Sequence, residues 1–148
     1  MSDPASVEEL TGCTCLQLRK LTRKVTQIYD LALEGVGLTS TQFSVLAYLS
    51  LKTDLSMAEL AGRLLMDPTT LTRVLRPLER EGDVEVLSSR EDRRRRAVVI
   101  TKKGRRRFAA ALPLWRQAQT DVRALLGRQN LGALNAALST SLSRIESR

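Results

Sequence analysis

The stretch SMAELAGRLLMDPTTLTRVLRPLEREGDVEVLSSREDRRRRAVVI, residues 56–100, decides how the rest of the chain is read. Ser56 followed three residues later by Glu59 is the pairing of a capping box, in which each side chain satisfies a backbone N–H at a helix start. The short helix it opens is expected to close near Leu65. Asp67 then offers a carboxylate to the first free N–H groups of a second helix. Pro68, which has no N–H, suits that helix's first position. Two helices joined by three or four residues form a helix-turn-helix.

The second helix sorts its residues by type. At about 100° per residue, Leu71, Val74, Leu75 and Leu78 gather into one apolar stripe. Thr69, Arg73, Arg76 and Arg80 fall on the other side, flanked by Thr70 and Thr72. Arginine bonds guanine bidentately, and threonine bonds a base edge or touches a thymine methyl group, so such a helix is built like a reader of the DNA major groove. Its candidate DNA-facing residues are Pro68, Thr69, Thr70, Thr72, Arg73 and Arg76. Pro77 removes one backbone hydrogen bond and is expected to bend the axis beyond them. Gly82 is expected to end the helix in a left-handed conformation. Two strand-like runs follow, 84–87 and 97–100, separated by Ser88 to Arg96. Arg90, Arg93, Arg94, Arg95 and Arg96 make that connection a long basic tip, a wing suited to phosphates and the minor groove.

Charge supports this reading. The net charge is +8, from 24 basic and 16 acidic residues. Residues 88–107 hold ten basic residues against Glu91 and Asp92, so this segment alone carries +8 and the remainder sums to zero. An excess confined to one segment is the footprint of a polyanion-binding surface.

Enzyme chemistry is poorly provided for. The chain has no histidine, hence neither the commonest general base nor the commonest zinc ligand. It also lacks a glycine-rich phosphate loop, and no cofactor is expected. No apolar run approaches the roughly 20 residues of a membrane span. The N-terminal MSDPASVEELTG lacks the order of a secretory signal, so a cytoplasmic location without membrane contact is expected. Cys13 and Cys15 are too close to staple a fold, and a bridge between them would be strained.

The flanking segments read as helices. Val7 to Glu34 carries Leu10, Cys13, Leu18, Leu21, Val25, Ile28, Leu31 and Leu33 at mostly helical spacing, with Arg19, Lys20, Arg23 and Lys24 on the other face. Gly35 and Gly37 should end it. Thr39 with Gln42 forms another capping box, and residues 52–55 are expected to turn into the helix that Ser56 opens. Thr101 should cap the helix after the wing, with Gly104 weakening its first turn slightly and Pro113 kinking it. Gly127 to Asn130 reads as a break before a last helix over Leu131 to Ile145. A lobe of about 60–70 residues is too small to cover the long apolar stripes of these outer helices. A second copy of the chain would cover them, and its two-fold symmetry would present two reading helices to two half-sites.

LTSTQFSVLAYL at 38–49, DPTTLTRVLRPLEREG at 67–82 and EDRRRRAVVITKKG at 91–104 resemble the MarR family of winged-helix transcription regulators. The resemblance covers essentially the whole chain. It implies a mainly α fold with a β-hairpin wing, a DNA-binding lobe at about 38–108, and dimerisation helices at 7–34 and 109–148. The expected function is that of a homodimeric regulator, a repressor above all, on an inverted-repeat site in double-stranded DNA. Within the wing it implies that Asp92 braces Arg94, which enters the minor groove. Arg93, Arg95 and Arg96 would then be phosphate contacts or exposed strand residues, with Arg90 a further DNA-binding candidate.

The resemblance also implies an input. Cys15, fourteen residues before Tyr29, is similar in place to the sensing cysteine of the peroxide-responsive branch, although Arg19 and Ser40 stand where that branch has tyrosines. Arg19, one turn from Cys15, can favour its thiolate. Two small residues buried at a dimer seam remain the alternative for Cys13 and Cys15. Many family members bind a small anionic aromatic effector, for which Arg19, Arg23 and Tyr29 are candidates. The competing function is a non-specific nucleic-acid-coating protein.

Overall fold

Caps decide where the helices of the central unit begin. The computed structural model describes residues 6–52, 55–88 and 95–147. Thr39 Oγ1 accepts the Gln42 N–H at 3.1 Å and Gln42 returns the bond to the Thr39 N–H, opening α3, Ser40–Leu51. Ser56 and Glu59 repeat the arrangement at the start of α4, Met57–Leu64. These hydrogen bonds, the backbone one first, hold the Glu59 carboxyl below its ordinary range. Asp67 caps α5, Pro68–Arg80, with Pro68 in the first turn as expected.

Before this unit come α1, Val7–Thr11, α2, Thr14–Leu33, and a 3-10 turn, Glu34–Val36. The single segment expected from residue 7 is therefore two helices, parted at Gly12 and Cys13. Thr14 begins afresh, while Ser6 caps the short piece. Gly37 ends the later run with φ 65°. After the wing come α6, Lys102–Leu126, and α7, Arg128–Glu146. The expected four-residue break between them is one residue, because Gly127 at φ 79° turns the chain by itself.

The hairpin consists of β2, Val84–Ser88, and β3, Arg96–Ile100, paired antiparallel from Val84↔Ile100 to Ser88↔Arg96. A third strand was not expected. β1, Leu55–Ser56, pairs with the far edge of β3 through Leu55↔Val98 and Ser56↔Ala97, giving the order β1-β3-β2. Leu55, expected in the turn before α4, is instead a buried strand residue that fixes the hairpin beside the start of that helix.

The chain divides into two compact units. Tyr29–Trp115 holds a core of Leu33, Leu46, Leu49, Leu55, Leu60, Leu71, Leu78, Val84 and Val98, all essentially inaccessible. Each such leucine contributes roughly 1.5–3 kcal/mol. Phe43 stacks on Trp115 at 5.6 Å between ring centroids and lies 5.2 Å from Phe108. The second unit comprises Met1–Ile28 and Arg116–Arg148. It leaves Val7, Leu10, Leu16, Leu18, Leu125, Leu138, Leu142 and Ile145 exposed, and neither α1 nor α7 buries a residue.

One non-glycine residue among those described has a left-handed backbone, Leu65 at φ 51°, at the turn between α4 and α5. Met66 N–H closes the turn onto the Ala61 carbonyl at 2.9 Å. Leu65 is 61% exposed, so its side chain gains little there. Replacing it with glycine should relieve the strain and raise stability by about 0.5–1 kcal/mol. Thermal unfolding checks this, and a fall in melting temperature would mean that the leucine side chain holds the turn.

Candidate nucleic-acid interface

Reading residues must be held rigidly while remaining uncovered, and α5 meets both conditions. Leu71, Leu75 and Leu78 are buried and Val74 half-buried, which sets the helix's rotation. Thr69, Arg73, Arg76 and Arg80 consequently face outward, together with Pro68 and Thr70, while Thr72 is half-buried. The stripe expected from the sequence is the stripe observed.

The threonines differ in what they have left to offer. Asp67 Oδ1 accepts the Thr70 N–H at 2.8 Å, and the Thr70 hydroxyl donates to Asp67 Oδ2 at 2.7 Å. These bonds, the side-chain one first, keep the Asp67 carboxyl below its usual range. The Thr72 hydroxyl donates to the Pro68 carbonyl at 2.8 Å, one turn back. Both hydroxyl protons are therefore engaged within the helix. Thr70 and Thr72 keep methyl groups and lone pairs for a partner, and Thr69 stands apart from this pattern.

The far end of α5 closes in a Schellman arrangement. Asp83 N–H donates to the Leu78 carbonyl at 2.8 Å and Gly82 N–H to that of Glu79 at 3.0 Å, with Gly82 at φ 80°. Pro77 lies within the helix and has no N–H for the Arg73 carbonyl, as expected.

Between α5 and the hairpin lies a polar groove of about 330 Å³, lined by Met57, Thr72, Leu75, Arg76, Glu79, Val86, Ser88 and Arg96. It brings Arg76 of the helix and Arg96 of the wing base to one surface. Arg95 and Arg96 are both exposed. Arg90, Asp92, Arg93 and Arg94 lie outside the described residues.

Part of the basic segment has a different role from the one its charge suggests. Lys103 Nζ donates to the Glu81 carbonyl, and Arg107 Nη1 to the carboxylates of Glu81 and Asp83. Arg107 Nε reaches the Val36 carbonyl at 2.9 Å, and Nη2 that of Gly37 at 2.6 Å. These two cations stabilise the C-terminal end of α5, where cations are favoured. Lys102, Arg105 and Arg106 remain exposed. In the sequence Lys103 and Arg107 look like their neighbours; the only signal is that they stand four residues apart, on one helix face.

Gly104 was also underestimated. A Cβ there would sit 2.1 Å from the Asp83 carbonyl oxygen, so glycine is what allows α6 to approach the end of α5. Thr101 caps α6 as expected, accepting the Gly104 N–H at 3.0 Å, while its hydroxyl donates to the Gly82 carbonyl at 2.6 Å.

The candidate sensing residues divide as well. Thr14, Cys15, Leu18, Arg19, Thr22 and Arg23 line an open groove along one face of α2. Cys13 and Tyr29 are not in its lining. Both cysteines are exposed in the single chain rather than buried within it. Tyr29 is half-buried, which raises its phenol above the ordinary value. Among the described residues no cluster of histidine, cysteine and carboxylate side chains is placed to hold a metal, and no helix is long and apolar enough to cross a membrane.

A family model for the MarR family matches residues 38–95. The transcriptional regulator MosR of M. tuberculosis, solved in complex with DNA, is 40% identical, with TM-score 0.72 over 87% of this chain and 98% of its own. The transcriptional repressor CouR, solved on a 23-mer DNA duplex, is 28% identical, with TM-score 0.80 over 95% of this chain and 99% of its own. A mutant MarR from E. coli has the same fold, with TM-score 0.81 at 22% identity over 93% of this chain and 99% of its own. No curated protein sequence matches the chain. The helix-turn-helix, the three-stranded winged sheet and this degree of identity to MosR make the conclusion plain: the chain belongs to the MarR family of transcription regulators.

Proposed function

We propose that the protein binds an inverted-repeat site in double-stranded DNA as a homodimer in the cytoplasm and represses transcription from it. The observation that carries this reading is α5, which buries three leucines and turns Thr69, Arg73 and Arg76 outward. Together with Pro68, Thr70 and Thr72 these residues would enter the major groove. The wing, 88–96, would lie on the minor groove, Arg94 inserted and braced by Asp92, and Arg90, Arg93, Arg95 and Arg96 on phosphates. A narrow A·T-rich minor groove concentrates negative potential and attracts such a guanidinium. That MosR and CouR were both solved on DNA supports the assignment.

The lobe at about 38–108 would read DNA, and 7–34 with 109–148 would pair with a second chain. Release would follow either cysteine oxidation or binding of a small anionic aromatic compound. For both, the α2 groove with Cys15, Arg19 and Arg23 is the candidate, with Cys13 just before α2 and Tyr29 further along it. Exposure of both cysteines leaves them open to an oxidant or to a partner chain.

Competition between a palindromic duplex selected by the protein from a random pool and an unselected duplex tests the function directly. A non-specific coating protein would not distinguish them. Arg73→Ala should lose on the order of 1–3 kcal/mol of discrimination at one base position per half-site. Equal loss on selected and random duplex would instead make Arg73 a phosphate contact.

A further inference from the structure

Arg107 has the most unusual surroundings of any charged residue described. Its side chain is only 16% exposed, and its partner Asp83 is fully buried. The guanidinium joins two distant pieces of chain: the carbonyls of Val36 and Gly37, just after α2, and the carboxylates of Glu81 and Asp83, just after the reading helix. Gly37 is shaped for it. Its φ is 65°, and a Cβ there would lie 2.9 Å from Arg107 Nη2. Only a planar fork with several fixed donors satisfies four acceptors spread over two segments; an ammonium is a single point on a flexible stem.

A clamp needed only for stability could sit anywhere in the unit. This one grips Glu81 and Asp83, which close α5 a few residues after Pro77, where the helix lacks one of its own hydrogen bonds. We propose that Arg107 is a positioning residue for DNA reading: it fixes the pitch of α5 against the turn at Val36–Gly37, and thereby the placement of Thr69, Arg73 and Arg76 on base edges. This rests on the proposed reading of α5 as the groove-entering helix.

The test uses the full-length protein and a palindromic duplex selected by the wild type from a random pool, with an unselected duplex of equal length beside it. Arg107→Lys keeps the charge and loses the fork. Gly37→Ala removes no charge and crowds the guanidinium. Val45→Ala, at a fully buried residue of α3 that makes none of the clamp's hydrogen bonds, serves as a variant weakened in the core alone. All are measured at a temperature where each is folded. Arg107→Lys and Gly37→Ala should lower affinity for the selected duplex about ten- to a hundredfold, the size of misreading a base pair in each half-site. Affinity for the unselected duplex should move less than about twofold, as counterion release depends on charge rather than aim. Val45→Ala should leave both affinities within about twofold. Proportional losses on the two duplexes, or a Val45→Ala protein that loses specificity equally, would overturn the positioning role. Should Arg107→Lys fail to fold, Gly37→Ala carries the same comparison. A wild type that selects no sequence would instead overturn the reading of function, and this proposal with it.

Discussion

Gly104→Ala is expected to destabilise the Tyr29–Trp115 unit by about 3 kcal/mol, the upper end of what overpacking costs. In a chain of this size that is a fall in melting temperature of roughly 10 °C. Helix propensity alone predicts the opposite sign, since alanine within a helix is favoured over glycine by about 1 kcal/mol. The added carbon would lie 2.1 Å from the Asp83 carbonyl oxygen and 2.9 Å from both the Asp83 carbonyl carbon and Ile100 Cγ1. Two of these atoms are backbone, and that backbone is pinned: the Asp83 carbonyl accepts the Thr101 N–H at 3.0 Å, and the adjoining Gly82 carbonyl the Thr101 hydroxyl at 2.6 Å. Relief therefore requires prying α6 from the end of α5. Gly62→Ala in α4 is the control, for nothing lies within 4 Å of its added carbon, and it should gain up to about 1 kcal/mol. If both variants gained stability, the close approach at Gly104 would be softer than its geometry implies.

That contrast shows where the sequence is legible. Caps could be read because Thr39/Gln42, Ser56/Glu59 and Asp67/Pro68 act over three residues, within the reach of a local pattern. The rotation of α5 could be read because one repeat governs which residues meet the core. Gly104 could not, because its meaning lies in Asp83, twenty-one residues earlier and brought close only by the fold. Arg107 was hidden among like charges. Its contacts with Val36 and Gly37 span about seventy residues, and no spacing rule reaches that far. Leu55 was missed for a related reason: two residues are too few for a strand pattern, and the pairing exists only because β3 offers an edge.

The proposed dimer is the other place where a large effect is expected. Leu138→Glu combined with Leu142→Glu should convert a two-chain species at micromolar concentration into single chains. Affinity for the selected palindrome should then fall about 10²- to 10⁴-fold, the loss expected when two linked half-site contacts become independent. α7 buries no residue in the single chain, and Leu138, Leu142 and Ile145 are exposed along it. A helix of that length gains most of its stability from packing an apolar face, and Leu131 and Leu134 are only half-buried, so a face left open from Leu138 onward points to a partner. Burial against a second copy would be worth roughly 1.5–3 kcal/mol for each leucine. A carboxylate in its place would need burying without a partner, and the sign of the interaction reverses. Because both leucines are exposed in one chain, the variant's helical circular dichroism should persist while its mass halves in sedimentation. Affinity for an unselected duplex should fall far less, since each lobe keeps its own charges. A doubly substituted protein that stays two-chain and binds the palindrome as tightly as before would remove α7 from the dimer, and the exposed face would require another occupant.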